Sequence, residues 1–351
     1  FCNFNGKRYD DNPRYISEEL HRQDPGLKLV WIRHRGYDFK VPDYVKLCTW
    51  LSFDMLYELA TAKVWVDSHS KPVYVRKRKG QFYLETWHGG LGMKKIEEDA
   101  AEKLSYDYLK TSRYNTKIAD AFLSNSEWLS DIYRRAFGYS GEILELGYPK
   151  NDVFFSGRGE EIAASVREKL GLSKDCRILL YAPTFRDSYG ADKWLDLDLD
   201  QLHSSLKSSF GGEWKLLVKL HPKMIGTAAV SGNNVLDVTS YPDMQELILA
   251  SDVFVTDYSS GIFDFCLTGR PGFIYASDYE LYLSCERGLY FTLDELPFPH
   301  AFTTDGLCER ISGFDPGQYR RDLDAFFGYV KLCEKGDAAE KTAALLLEKY
   351  L

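Results

Sequence analysis

The chain has no Cys-x-x-Cys pair. Its seven cysteines (Cys2, Cys48, Cys176, Cys266, Cys285, Cys308 and Cys333) are scattered and odd in number. That spacing argues against a zinc site or a disulfide framework and fits a reducing compartment. Long apolar runs are missing as well. The nearest, Leu47 to Val66, is interrupted by Asp54, Glu58 and Lys63, so nothing reaches the roughly 20 residues that span a bilayer. The start carries no signal-peptide pattern, because Asn3, Asn5, Lys7 and Arg8 break it. It opens on Phe1 rather than Met, as a piece of a longer protein would. An excess of positive charge is also lacking. With 52 acidic residues against 44 basic, the net charge is -8, which argues against nucleic-acid binding by bulk electrostatics. Internal repeats and low-complexity tracts are absent. The expectation is a cytosolic globular protein.

What the chain does contain is apolar surface to bury: 44% of its 351 residues are hydrophobic and 15% aromatic. That length has room for about two domains of roughly 150 residues. The stretch Asp252 to Phe265 organises the rest. Val253 to Val255 predicts a short buried strand. Thr256, Asp257, Tyr258, Ser259, Ser260 and Gly261 then make a hydroxyl-rich turn, and Phe263, Phe265 and Leu267 predict a helix beginning near Ser259. Strand, turn and helix in this order hold phosphate in open α/β sheets. The N–H groups and positive dipole end of the helix face the anion, at the carboxyl ends of the strands. The plainer reading is an ordinary N-cap.

Around that stretch strands and helices alternate. Phe1–Phe4, Leu27–Ile32, Val64–Asp67, a strand running into His88, Asp120–Ser124 and Glu142–Leu146 read as strands. Helices are predicted around Asn12-Pro13 and over Phe53–Thr61. Alternation of this kind predicts a parallel sheet covered on both faces. Gly147-Tyr148-Pro149-Lys150-Asn151-Asp152 reads as a loop approaching a hinge. The pattern then restarts, with a helix from Gly157 to Leu170, a strand from Arg177 and another from Trp214 to His221. The restart predicts a second α/β domain, and the expected boundaries are 1–155, 156–320 and a pair of terminal helices in 321–351.

Several residues carry candidate chemistry. His88 stands at a strand end before Gly89, Gly90 and Gly92, where the backbone can pass close to a ligand. Its ordinary pKa suits it to take a proton from an attacking hydroxyl, although a lone histidine is more often structural. His221 ends a second strand, and with Lys219 it can meet nucleotide phosphates. Arg76-Lys77-Arg78-Lys79 is the one dense basic run, either a solvated turn or a contact for a polyanion or an anionic lipid surface. Asp196-x-Asp198 precedes a helix, where acids are favoured without any metal.

In this order the motifs resemble those of the CDP-glycerol glycerophosphotransferase family, which primes and polymerises the glycerol-phosphate chains of wall teichoic acids and has relatives that make capsules. The resemblance rests on Thr86-Trp87-His88-Gly89, Ser124-Asn125-Ser126-Glu127, Gly147 to Asp152, Tyr181 to Asp187, Lys219-Leu220-His221-Pro222, Tyr241-Pro242-Asp243, Thr256 to Ser260, Phe263-Asp264 and Arg287-Gly288. It implies a GT-B architecture: α/β, with two Rossmann-like domains facing across a cleft and the last helix crossing back. It further implies His88 as the base and His221 near the donor phosphates. The substrate-binding set carried over is Gly89, Lys94, Lys150, Asn151, Pro183, Thr184, Arg186, Lys219, Thr256, Asp257, Ser259, Ser260 and Asp264. The chain departs from the family pattern at Gly90 and Leu91, where Thr and Pro are usual, and at Lys150, Phe185 and Pro297-Phe298-Pro299.

The implied reaction is phosphoryl transfer without a metal or other cofactor. A terminal hydroxyl of a lipid-linked or polymeric glycan acceptor attacks CDP-glycerol, or a related CDP-polyol such as CDP-ribitol, and CMP leaves. His88 takes the proton, and Ser259, Ser260, Arg186, Lys219 and His221 meet the charge on the phosphoryl oxygens and CMP. Asp264 orients the site or the nucleotide sugar, or is a helix-surface acid. Arg287 holds a phosphate or pairs with Glu286. Two rival readings are a UDP-sugar epimerase on the same fold and a non-catalytic polyanion-binding module. The acceptor implies contact with the inner leaflet through the basic run or the segment around Trp50, Leu51 and Phe53, and hence a cytoplasmic, peripheral location.

Overall fold

The computed structural model describes residues 1–186, 196–221 and 234–351. Asp187 and Pro222, the last residues of two of the motifs, lie outside them. The chain forms two compact units. Unit 1 comprises Phe1–Gly90, Ile96–Ser156 and Val330–Leu351, and unit 2 comprises Leu91–Lys95 and Gly157–Tyr329.

In unit 1, helix α1 (Asp11–Gln23) starts behind Asp10 and carries Pro13 in its first turn, where the missing N–H costs nothing. Strands β1 (Leu29–Arg33) and β2 (Val45–Thr49) pair in parallel, Leu29 opposite Val45. Strand β2 has no separate signal in the sequence, because Lys46 and Leu47 merge into the interrupted apolar run that follows. Helix α2 (Phe53–Thr61) is capped by the Ser52 hydroxyl, which accepts from the Met55 N–H at 3.1 Å. Strands β3 (Val64–Asp67) and β4 (Phe82–Glu85), helix α3 (Tyr106–Ile118), β5 (Ala121–Ser124), α4 (Glu127–Ala136) and β6 (Glu142–Glu145) follow. The sheet order is β3-β4-β5-β6, all parallel.

The strand expected over Phe1–Phe4 shrinks to a two-residue bridge. The Phe1 carbonyl accepts from Ile32 N–H at 3.0 Å, and Cys2 N–H donates to Val66 at 3.1 Å. These bonds join β1 to β3, so the two sheets continue one another. The chain then turns through a 3-10 segment, Phe4–Gly6.

Unit 2 contains α5 (Gly159–Lys169), β7 (Arg177–Tyr181), α6 (Leu199–Phe210), β8 (Trp214–Val218), β9 (Val235–Asp237), α7 (Met244–Ala250), β10 (Val253–Thr256), α8 (Gly261–Cys266), β11 (Gly272–Tyr275), α9 (Tyr279–Cys285), β12 (His300–Ala301), α10 (Thr304–Ser312) and α11 (Pro316–Val330). The parallel sheet runs β12-β11-β10-β7-β8-β9. Renumbered within the unit this is the order 3-2-1-4-5-6 of a dinucleotide-type sheet, whose direction reverses between β7 and β10. Leu179, Leu216, Val218, Val255 and Phe273 are fully buried in the core beneath it, each worth about 1.5–3 kcal/mol of transfer free energy.

The final helix, α12 (Ala338–Tyr350), belongs to unit 1 and packs on α1. The Asp152 carboxylate caps it, accepting from Ala338 and Ala339 N–H at 3.0 and 2.7 Å. At Gly336 (φ +79°) a Cβ would lie 2.3 Å from that of Phe155, so only glycine allows the chain to pass there.

Candidate active site

In unit 2 the segments leaving β7 and β10 converge at the reversal point. Thr256 hydroxyl donates to the Ala182 carbonyl at 2.6 Å, and Thr184 N–H donates to both Asp257 oxygens, at 2.9 and 3.1 Å. Arg186 pairs with Asp257 and with Asp278, each at 2.8 Å, and donates to the Thr184 carbonyl at 2.6 Å. Its guanidinium also lies about 5 Å from the ring centres of Tyr258 (5.0 Å) and Tyr282 (5.1 Å). The charge of Arg186 is thus balanced by two carboxylates, and its evident work is to hold Asp257 and the Thr184 loop. Buried Thr184 Oγ1 has no hydrogen-bond partner among the described residues. A buried hydroxyl left in that state at a strand end is what a ligand would satisfy.

Lys94, carried on the Leu91–Lys95 segment, reaches the same place. That segment pairs with Gly288–Tyr290: Lys95 N–H donates to Gly288 at 2.8 Å and Tyr290 N–H to Met93 at 2.6 Å. Burial pushes the Lys94 ammonium down to about 8, Asp257 opposes that shift, and Arg287 and Arg186 add to it. His221, beyond β8, has its ring 5.5 Å from that of Phe185. The Lys219 ammonium donates to the Tyr241 carbonyl at 2.6 Å.

The helix after β10 is shorter and later than predicted: α8 begins at Gly261 and runs six residues. Ser259 Oγ accepts from Gly261 N–H at 3.2 Å, while Ser260 makes no side-chain cap bond. Asp264 is buried and accepts from Gln245 Nε2 at 3.3 Å, which replaces the surface-acid reading.

In unit 1, His88 Nδ1 lies 3.0 Å from the Ser68 carbonyl. A carbonyl only accepts, so Nδ1 carries a proton; in the neutral ring the lone pair is then on Nε2, the tautomer a general base requires. The His88 ring stacks on His69, 4.1 Å between centres and 16° apart, with Trp87 at 4.2 Å and Phe4 at 5.6 Å. Trp87 holds φ +52°, a costly conformation for a bulky residue. Its N–H donates to buried Glu85 at 3.0 Å, and Glu85 also accepts from Tyr83 and Asn115. Burial pushes Glu85 up to about 8, and the Asp67 carboxylate adds to the shift.

A family model described as CDP-Glycerol:Poly(glycerophosphate) glycerophosphotransferase matches residues 1–348. The chain belongs to this family. It is 32% identical to the teichoic acid poly(glycerol phosphate) polymerase of Bacillus subtilis over 97% of its own length and 47% of that protein's. It is 30% identical to the teichoic acid ribitol-phosphate primase of Bacillus spizizenii, over 95% and 86% of the two chains. Among solved structures, a variant of the wall teichoic acid polymerase TagF superposes with a TM-score of 0.88 at 30% identity, covering 99% of this chain and 88% of that one. Another variant was soaked with CDPG. The chain thus spans about half the length of the Bacillus subtilis polymerase and of its Staphylococcus epidermidis counterpart. The GT-B class expected from the motifs agrees with this likeness.

Within that family frame, the predicted set divides between the units. Lys94, Pro183, Thr184, Arg186, Lys219, His221, Thr256, Asp257, Ser259, Ser260 and Asp264 belong to unit 2, and His88, Gly89, Lys150 and Asn151 to unit 1. Tyr148 touches three of the latter four: its hydroxyl donates to the Gly89 carbonyl at 3.1 Å, the Lys150 ammonium lies 5.8 Å from its ring centre, and its carbonyl accepts from Asn151 N–H at 2.8 Å. Asn151 Nδ2 donates to Glu334 at 2.9 Å. The departure at Gly90 has a packing cause, since a Cβ there would lie 2.9 Å from Asn125 Nδ2 and 3.1 Å from Tyr148.

His69 was not singled out from the sequence. Burial, reinforced by repulsion from His88, holds its imidazole well below the usual range and therefore neutral. The available signal was positional: β3 and β4 are neighbours, Asp67 opposite Glu85, and each is followed within three residues by a histidine. Among the described residues no group of three or more His, Cys, Asp or Glu could hold a metal. Asp198 instead caps α6, accepting from Gln201 N–H at 2.9 Å.

Proposed function

We propose that the chain transfers glycerol phosphate from CDP-glycerol to a terminal hydroxyl of a lipid-linked or polymeric acceptor in teichoic acid synthesis, releasing CMP. Family membership supports the reaction class, and one observation supports the base: His88 Nδ1 is committed to the Ser68 carbonyl, which orients the ring and fixes the Nε2 lone-pair tautomer of its neutral form. As the acceptor oxygen bonds to the distal phosphorus, its proton passes to Nε2 and the bond to the CMP oxygen breaks. Lys94, Thr184, Ser259, Ser260 and His221 meet the developing charge with fixed donors, while Arg186 keeps Asp257 and the Thr184 loop in place. No metal has a role in this proposal.

The experiment is CMP release from CDP-glycerol and CDP-ribitol with a synthetic lipid acceptor, for the parent chain and His88→Ala. Acceptor-dependent CMP from one donor, falling at least a hundredfold in the variant, is the expected result. CMP release that survives the loss of His88 refutes the base assignment, and release from neither donor refutes the transferase reading.

We further propose a peripheral location at the inner face of the membrane. Among the described residues no helix is long and apolar enough to cross a bilayer. The outer face of α2 and its lead-in instead expose Leu51 (63%), Phe53 (92%), Leu56 and Tyr57, as an interfacial helix does. Sedimentation with anionic vesicles, reduced by Phe53→Ser, is the expected outcome; full recovery in the supernatant contradicts it.

A further inference from the structure

The carboxyl ends of β1 and β2 form an open pocket of about 510 Å3 lined by Arg33, His34, Arg35, Tyr37, Asp38 and Thr49 among others. Ligands of parallel sheets bind on that side. In a chain of net charge -8, the stretch from Arg33 to Lys40 carries three cations against one carboxylate. That carboxylate, on Asp38, is fully exposed and only 3.4 Å from Arg33 Nη1, a weak pair. Arg35 is exposed, and among the described residues it is in no ion pair. His34 commits Nδ1 to the Arg35 carbonyl at 2.7 Å, which leaves Nε2 for a ligand. Lys7 stands 5.4 Å from the Tyr37 ring centre and adds a fourth cation.

Two connections bear on what the pocket would bind. The 3-10 turn Phe4–Gly6 joins it to the candidate base: the Gly6 carbonyl accepts from His34 N–H at 2.6 Å, and Phe4 contacts His69 and His88 at 4.2 and 5.6 Å. On its other side, Thr49 leads through Trp50 into the exposed apolar residues Leu51 and Phe53. Paired guanidinium forks match phosphate oxygens. A phosphate pocket with a base on one side and an apolar shoulder on the other fits an acceptor that is itself a phosphodiester chain. The basic run Arg76–Lys79 is less suited, because Lys77 pairs with Asp120 and Arg76 lies over Tyr114.

We propose that this pocket binds a backbone phosphodiester of the acceptor chain and holds that chain while its terminal hydroxyl reacts. The proposal deepens the transferase reading and rests on it for the identity of the acceptor. A soluble glycerol-phosphate oligomer without lipid or diphosphate is the probe, titrated calorimetrically into the full chain. Arg33→Gln/Arg35→Gln should weaken binding at least tenfold and flatten its salt dependence, while Arg78→Gln/Lys79→Gln, an equal loss of charge, should change it less than twofold. In turnover assays the pocket variant should raise KM for the oligomer about tenfold and leave KM for CDP-glycerol unchanged. Arg35 is exposed and Arg33 half-buried, and neither substitution breaks a buried ion pair.

Parent-like binding by the pocket variant, an equal loss in the control variant, or no binding by the parent chain each overturns the proposal. Oligomer binding lost in the pocket variant, in a chain that releases no CMP from any donor, would instead refute the transferase reading and leave the pocket standing. Dependence on the pocket seen only with a lipid diphosphate acceptor would overturn the phosphodiester assignment.

Discussion

The carboxyl ends of the two sheets solve the same problem differently. In unit 2 the site lies where the strand order reverses between β7 and β10, and its walls are the residues that directly follow those strands, Ala182–Arg186 and Asp257–Ser260. In unit 1 the surroundings of His88 are gathered from Phe4, Ser68–His69 and Glu85–Trp87, with Asn115 behind. One site is read off two strand ends, and the other depends on separated stretches meeting. Backbone strain and a carboxyl pushed toward its neutral form mark the second, with Trp87 at φ +52° and Glu85 raised to about 8, whereas buried ion pairs mark the first.

If the unit 2 crevice is organised by its buried ion pairs, breaking one should have the largest effect. Asp257 accepts from Thr184, Tyr258 and Arg186 together. Asp257→Ala leaves Arg186 with Asp278 alone and two N–H groups unsatisfied. A loss of about 3–5 kcal/mol is expected in urea unfolding, along with donor-dependent CMP release. Asp257→Asn, which keeps the shape, should cost less. A stability change below about 1 kcal/mol for Asp257→Ala would mean that topology alone maintains the crevice.

This contrast also explains what could be read beforehand. Strands such as Val64–Asp67 and Val253–Thr256 announced themselves because parallel strands buried on both faces are short continuous apolar runs. The crevice residues followed from the polar turns after β7, β8 and β10. What escaped depended on distance along the chain. Phe1–Phe4 looked like a strand but only bridges β1 and β3, and the helix after β10 looked longer than six residues because Leu267 continues its apolar pattern. His69 gained its meaning only when β3 came to lie beside β4. Nothing local to Arg186 reveals its pairing with Asp278, 92 residues away.

Lys94 sharpens the comparison through pH. Its ammonium, held down to about 8 chiefly by burial, is charged below that value and neutral above it. If it meets the donor phosphate, KM for CDP-glycerol should rise on the alkaline side, roughly twentyfold between pH 7.5 and 9.5, with kcat/KM for the donor falling in parallel. Lys94→Arg stays charged throughout and should abolish that limb, even at a cost in rate. A limb unchanged by Lys94→Arg would assign the titration to another group.

The smallest effect tests the assembled character of unit 1 away from its histidines. Asp152 reaches an N–H pair 186 and 187 residues further along the chain, at the start of α12, so its loss removes a long-range cap rather than a local one. Asp152→Ala should destabilise unit 1 by about 1–2 kcal/mol and leave donor affinity in unit 2 unaltered. Burial raises the Asp152 carboxyl to about 6, above its ordinary 3.8. With the folded value raised, its contribution is fully present below the unfolded value and is lost as pH climbs through 6. The parent chain should therefore gain stability relative to Asp152→Asn as pH falls from 7 to 4, because the amide cannot titrate. A constant gap across that range would show that the cap acts through its hydrogen bonds alone, with no contribution from the buried charge.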